Sequence, residues 1–342
     1  MIGIEFLKGQ GLGNQLFCYA ALRGIAEKNG YRFGTAGREN FAVNIHSDKG
    51  MYFMDMDLGE EIGSDMKSSM ETYQEKEVRL YIGNSLHDIE NGCYIAGSDE
   101  KITGISDNTL MYGNMQAESY FEEYKDKLGD WFKVKEEYEN YDYSSEDICV
   151  INMRGGEYTG SPELHLRKKY WKDAMKYMRS INANMRFVII TDDIEAARRM
   201  FPKIETHHFD LAGDYVTIKN AHYLILSNSS FACIPAFTSK TLKYAIAPKY
   251  WARHNVSDGY WASEQNIYSI FTYMDRKGKI YTPEECKNEL KAYMKRMESS
   301  LFIDRKPDDR IVRRMKIKAG FIYKKAYILK RAGNLKRKIV GA

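Results

Sequence analysis

The chain reads as an α/β protein of two Rossmann-like domains facing a central cleft, followed by a basic tail. Three observations predict this. An early apolar run, residues 2–7, breaks on the alternate glycines Gly9, Gly11 and Gly13 and then enters apolar helical periodicity. A second run, Ile148–Met153, is apolar apart from Asn152 and ends in Arg154-Gly-Gly-Glu-Tyr158. From there on, ligand-type residues stand at the C-terminal end of every predicted strand, where open parallel sheets bind their ligands.

The length of 342 residues and an apolar content of 44% allow two domains with cores of their own. We place them at residues 1–143 and 144–303, with the tail at 304–342. The acidic, tyrosine-rich stretch at 136–147 forms the boundary. Five cysteines lie far apart without a C-x-x-C pair, so neither a disulfide framework nor a zinc site is expected, and a reducing cytoplasm is. Lys8 interrupts the early apolar run and no window reaches membrane-spanning length, so neither a signal peptide nor a span is expected.

The net charge of +4 hides an asymmetry. Residues 310–342 contain twelve Lys/Arg and no Asp/Glu, and removing them leaves the rest of the chain at −8. Apolar residues including Ile317, Phe321 and Ile328 alternate with the basic clusters, a pattern suited to an anionic membrane surface more than to nucleic acid. A solvated helix without a partner is the alternative.

The opening glycine loop is built to bring backbone N–H groups close to an anion. Its G-x-G-x-G spacing lacks the third glycine of a dinucleotide fingerprint and the Lys-Ser/Thr of a P-loop, and Asn14-Gln15 stand there instead. A helix over 14–28 follows, closed by Asn29-Gly30. Aromatic residues at helical spacing predict another helix within 112–135. Asp55-Met-Asp57 is a D-x-D that could hold a divalent cation, but no buried strand precedes it, and no metal site is assigned.

In the second domain, Arg154 at a strand end, followed by two glycines, is placed to grip a phosphate bidentately. The alternative is a surface arginine in a turn. Helices are expected at 166–180, 194–200, 214–221, 237–247 and 283–300, and strands at 186–190 and 223–226. Of Thr191-Asp-Asp193, Thr191 or Asp192 is expected to cap the next helix, leaving Asp193 free for a ligand. Ser227-Asn-Ser-Ser-Phe231 offers hydroxyls and N–H groups as a second anion-binding loop.

Four ordered motifs carry a family resemblance: Gly11-Leu-Gly-Asn-Gln-Leu-Phe17, Arg154-Gly-Gly-Glu-Tyr158, Thr191-Asp-Asp193 and Asn228-Ser-Ser-Phe231. Together with Met115-Gln-Ala-Glu-Ser-Tyr-Phe121, they resemble the α1,2-fucosyltransferase family of bacteria and animals. The resemblance implies a GT-B fold and an inverting transfer from a GDP-sugar, usually GDP-β-L-fucose, to a glycan acceptor, without a metal or other cofactor. It places the phosphate-binding arginine on Arg154. It puts Gly11, Gly13, Asn14 and Gln15 on the facing wall, Ser229 and Ser230 at the diphosphate with Phe231 beside the nucleotide, and Asp214 at the guanine edge. Asn152 and Asp193 join the donor-binding set, and Glu157 and Asn14 join Arg154 as candidate catalytic groups. The chain departs from the family pattern with Asn152 for a histidine, Gly155 for a second arginine, Glu157 for an aspartate, and Ala232-Cys-Ile234 for Ser-Trp-Trp. Two other functions stay open: a transferase of the same fold using another nucleotide sugar, and a nucleotide-sugar or glycan-binding protein without catalysis.

Overall fold

A computed structural model describes residues 1–76, 78–80, 93–95, 98–161, 163–255, 257, 261, 266–296 and 301–303, and residues 313–314, 316–317, 320–321, 324–325, 327–328 and 331 of the tail. It contains the two predicted sheets. The first has five strands, all paired in parallel, in the spatial order Glu60–Glu61, Phe33–Ala36, Ile2–Glu5, Thr109–Tyr112, Glu71–Gln74. The second has seven, in the order Glu205–His207, Arg186–Thr191, Ile148–Met153, Tyr223–Leu226, Tyr244–Pro248, Thr272–Met274, Ile280–Tyr281, and only its last pair is antiparallel. This is the α/β architecture of two Rossmann-like units that the sequence predicts.

In each sheet the first strand in sequence lies inside the order. The chain goes to one side of it first and returns later to the other. Both sheets therefore have their topological switch beside that strand, and a crevice opens at its carboxyl end. The loops leaving the two first strands are the Gly9–Gly13 segment and the Arg154–Glu157 segment.

Burial explains why these elements form. Every residue of Ile148–Met153 is buried, as a parallel strand covered on both faces requires. The Leu12–Asn29 helix is buried nearly all round and belongs to a core cluster shared by both sheets, with Phe17 stacked on Tyr268 at 5.5 Å. Gly30 ends that helix in the left-handed conformation, its N–H reaching the last carbonyls.

Two expected helices are corrected. Residues 118–131 form 3-10 turns at Glu118–Tyr120 and Glu122–Lys127 and a single α-turn at Leu128–Trp131, because the backbone leaves helical angles at Phe121 and Tyr124. The aromatic spacing there is nonetheless core spacing: Tyr120, Phe121, Trp131 and Phe132 are buried. The helix expected over 237–247 is instead the end of Cys233–Phe237 followed by the strand Tyr244–Pro248, and Ser239 Oγ accepts from the N–H groups of Thr241 and Leu242 at the turn between them. A third sheet pairs Leu301–Ile303, Val78–Leu80 and Cys93–Ile95 antiparallel. Among the described residues no helix is long and apolar enough to cross a membrane. In the tail, Ile317, Phe321, Tyr327 and Ile328 are exposed on helical backbone.

Candidate active site

The crevices of the two sheets meet in one cavity of about 390 Å³, within the size range of small-ligand pockets. The first half contributes the loop after its first strand and a second loop over residues 44–52. The second half contributes the ends of Ile148–Met153 and Arg186–Thr191, the segment 208–214 and the Ser229–Phe231 turn. Of the sequence-predicted residues, Gly11, Gly13, Asn14, Asn152, Arg154, Glu157, Asp214, Ser229, Ser230 and Phe231 line this cavity, and Gln15 and Asp193 do not.

The three alternate glycines have separate roles. Gly9 turns the chain at φ +76°, a left-handed value that side chains resist. Gly11 is the extended N-cap residue and faces open space. Gly13 is where the helix start touches the other half. A Cβ there would lie 2.4 Å from Phe231 N and from Ser230 C. The close approach lets Ser230 Oγ donate to Asn14 Oδ1 at 2.6 Å, and Gln116 Nε2 donates to the same oxygen at 2.8 Å. Asn14 is thereby a bridge between the halves, with its amide Nδ2 free of any hydrogen bond among the described residues.

Gln15 turns away from the cavity. It is fully buried, donating from Nε2 to Asn40 O and accepting at Oε1 from Ala42 N, both at 2.9 Å, which fixes the start of the loop that reaches over the cleft. Its amide is spent inside the first half, a correction to its expected place at the donor.

Arg154 sits at the centre of a charged network. Its Nη2 donates to Glu157 Oε1 at 2.6 Å and to His46 Nε2 at 2.9 Å, and Nη1 pairs with Asp192 Oδ2 at 2.8 Å. Asp192 Oδ1 also accepts from Gly155 N at 2.6 Å. A guanidinium can only donate, so the His46 Nε2 that faces it is unprotonated. Burial, then the Arg154 charge, holds that imidazole below its ordinary pKa. His46, Glu157 and Asp192 bring ligand atoms within 4.8 Å of one another, and the cation they converge on here is Arg154 itself.

Glu157 is a poor base in this setting. Burial pushes its carboxyl up, but the hydrogen bond and charge of Arg154 outweigh that and leave it below the usual carboxylate range. The two aspartates exchange their expected roles: Asp193 caps the Ile194–Met200 helix, accepting from Ala196 N at 2.9 Å, while Asp192 holds Arg154. Ser229 likewise caps the turn that follows it, accepting from Phe231 N. Asn152 is 7% exposed and accepts at Oδ1 from Ser227 Oγ at 3.2 Å. Asp214 accepts from His208 Nδ1 at 2.8 Å and from Phe209 N at 2.9 Å, so what stands before it in the cavity is an imidazole instead of an open carboxylate edge.

His46, Tyr52, His208 and Asp210 are lining residues that sequence reasoning missed. Tyr52 spans the halves, donating to Asp210 Oδ2 at 2.9 Å and accepting from Ala212 N at 3.2 Å. With His46 on Arg154, this fastens the 44–52 loop across the cleft. These four stand in loops without periodicity, and their residue types are the only signal they carry.

The class that this geometry defines is a two-sheet α/β protein with a cation-bearing interdomain cleft, sized for a small ligand. No family model matches the sequence. An α1,2-colitosyltransferase from Escherichia coli is 27% identical over 172 residues, which cover 44% of this chain and 59% of that protein, so the chain spans about three fifths of that relative's length. Among solved structures, the fucosyltransferase NodZ from Bradyrhizobium aligns at 12% identity and a TM-score of 0.40, over 69% of this chain and 92% of its own. A family 9 glycosyl transferase from Veillonella parvula aligns at 11% identity and a TM-score of 0.41, over 87% and 97%. At these scores the fold assignment rests on the chain's own topology.

Proposed function

We propose that this chain is an inverting glycosyltransferase that moves a sugar, L-fucose from GDP-fucose in the first instance, to a glycan hydroxyl without a divalent cation. One observation carries the reading: Arg154 and the Ser229–Ser230 turn converge in a cleft at the carboxyl ends of both first strands. In such a transfer the leaving diphosphate gathers negative charge, and fixed donors aimed at it stabilise the transition state. Arg154 supplies the charge. The turn supplies the Ser229 hydroxyl as a donor, and Asn14 offers its free amide from the opposite wall. The four motifs and the colitosyltransferase relative agree with this class of reaction.

That relative's name favours a second donor sugar, colitose, in the same cleft. The reaction itself tests both: GDP release is followed with GDP-fucose and with nucleotide-activated colitose over a panel of oligosaccharide acceptors. Release with the second donor alone would replace fucose by colitose. GDP binding without transfer from either donor would turn the reading toward a binding protein.

The tail belongs to the proposal as a surface contact. Exposed Ile317, Phe321 and Ile328 lie four and seven residues apart in the sequence, a helical spacing, among Arg313, Arg314, Lys316, Lys324, Lys325 and Arg331. Flotation with vesicles containing phosphatidylserine is expected to recover the full chain and to lose a form ending at residue 309. Equal recovery of both forms would discard the membrane contact.

A further inference from the structure

Beside the Arg154 network the cleft wall holds a second charged pair. His208 follows the Glu205–His207 strand, and Asp214 lies in the first turn of the Leu211–Lys219 helix. Asp214 is 7% exposed, and both its oxygens are engaged, Oδ2 by His208 Nδ1 at 2.8 Å and Oδ1 by Phe209 N at 2.9 Å. A carboxylate only accepts, so Nδ1 of His208 carries hydrogen. The other ring nitrogen, Nε2, has no partner among the described residues, and the ring lines the same cavity as Arg154, Ser229 and Ser230.

The titratable groups around this ring are the carboxylates Asp214, on the Leu211–Lys219 helix, and Asp192, at the end of the neighbouring strand, and the neutral imidazole of His46 from the loop across the cleft, with Arg154 paired to Asp192. The hydrogen bond to Asp214 raises the pKa of His208 above its ordinary value against the effect of burial, and the charges of Asp214 and Asp192 act the same way. Charge balance gives such a group a purpose. Arg154 is already shared between Asp192 and Glu157, so a diphosphate entering the cleft brings more negative charge than one guanidinium offsets.

We infer that His208 is a phosphate-binding residue of this cleft: its Nε2–H donates to a phosphate oxygen of the bound nucleoside diphosphate, and Asp214 is the positioning residue that orients the ring and keeps it charged. The inference rests on the reading of the cleft as a nucleoside-diphosphate site. It makes affinity for the diphosphate proton-dependent. Binding is strongest while the imidazole is charged and weakens as pH rises through its raised pKa, where both the charge and its attraction are lost.

Calorimetric titration with GDP, UDP and guanosine between about pH 5.5 and 8.5 tests this on wild type, His208→Gln, Asp214→Asn and His46→Gln, each checked for folding by thermal melting. A charge-assisted hydrogen bond to phosphate is worth roughly tenfold in affinity. Wild-type GDP affinity is expected to fall about that much across the range. His208→Gln should lose about tenfold at the acid end, show no slope, and bind guanosine as wild type does. Asp214→Asn should move the fall to lower pH, and His46→Gln should keep the slope. A His208→Gln protein with the wild-type slope, or one that loses guanosine together with GDP, would overturn the inference. Proton-dependent binding of UDP but not GDP would uphold His208 and remove the GDP-sugar reading. Failure of every nucleoside diphosphate to bind would remove both.

Discussion

Arg154→Ala is expected to lower sugar transfer at least a hundredfold while the chain still folds. Removing one preorganised electrostatic donor costs on the order of 3 kcal/mol of transition-state stabilisation, and each 1.4 kcal/mol is tenfold in rate. The local arrangement adds to this. Glu157 and Asp192 each pair with the guanidinium, so its removal leaves two carboxylates unopposed in the space a diphosphate must occupy. Attraction is lost and repulsion replaces it. Arg154→Lys separates charge from geometry: one ammonium cannot serve Asp192, Glu157 and a phosphate at once as a planar fork can, so activity should be intermediate. Steady-state kinetics on both variants, with melting curves as the folding control, give the result. Near-normal turnover in the alanine variant would remove Arg154 from the centre of the site.

The second large effect is expected at Gly13, and it acts on architecture. A methyl group there meets Ser230 C and Phe231 N at 2.4 Å and Ser230 O at 2.7 Å, all backbone atoms that no rotamer change can move. The start of the buried Leu12–Asn29 helix must then retreat from the Ser229–Phe231 turn, which breaks the 2.6 Å bond between Ser230 and Asn14. Overpacking of this kind costs about 1–3 kcal/mol. Gly11→Ala is the matched control, because Gly11 has an extended backbone and nothing within 4 Å of its added Cβ. Urea denaturation should show a clearly larger fall in midpoint for Gly13→Ala than for Gly11→Ala, which loses only the modest preference for glycine at a helix N-cap. Equal midpoints for the two variants would mean that the halves do not depend on this contact.

This pair of glycines shows where sequence reading succeeds and where it stops. The alternate glycines mark a loop at a strand end, and the loop is there. Which of them faces a ligand, a turn or another backbone depends on a segment more than two hundred residues away, the Ser229–Phe231 turn, to which no local pattern points. Arg154 is legible because it follows an apolar run whose length and β-branching announce a covered parallel strand, and Ser229–Ser230 because hydroxyl residues cluster directly after the short apolar run Tyr223–Leu226. His46 and His208 are not, since they sit in aperiodic loops that only the tertiary fold brings to the cleft. Asp192 and Asp193 exchange roles because adjacent residues in a turn differ in direction, not in composition. Tyr244–Pro248 reads as helix because it is short, and pairing with Tyr223–Leu226 and Thr272–Met274 overrides a weak local preference.

We propose that the cleft between the two sheets transfers a sugar from a nucleoside diphosphate. The most direct test is GDP release by the wild-type chain given GDP-fucose, with and without an oligosaccharide acceptor and with a chelator present, the product's new linkage being read by NMR. The expected result is acceptor-dependent release that the chelator does not diminish, an inverted anomeric configuration in the product, and loss of the signal in Arg154→Ala. Release that requires a divalent cation, or that proceeds equally well in Arg154→Ala, would contradict it.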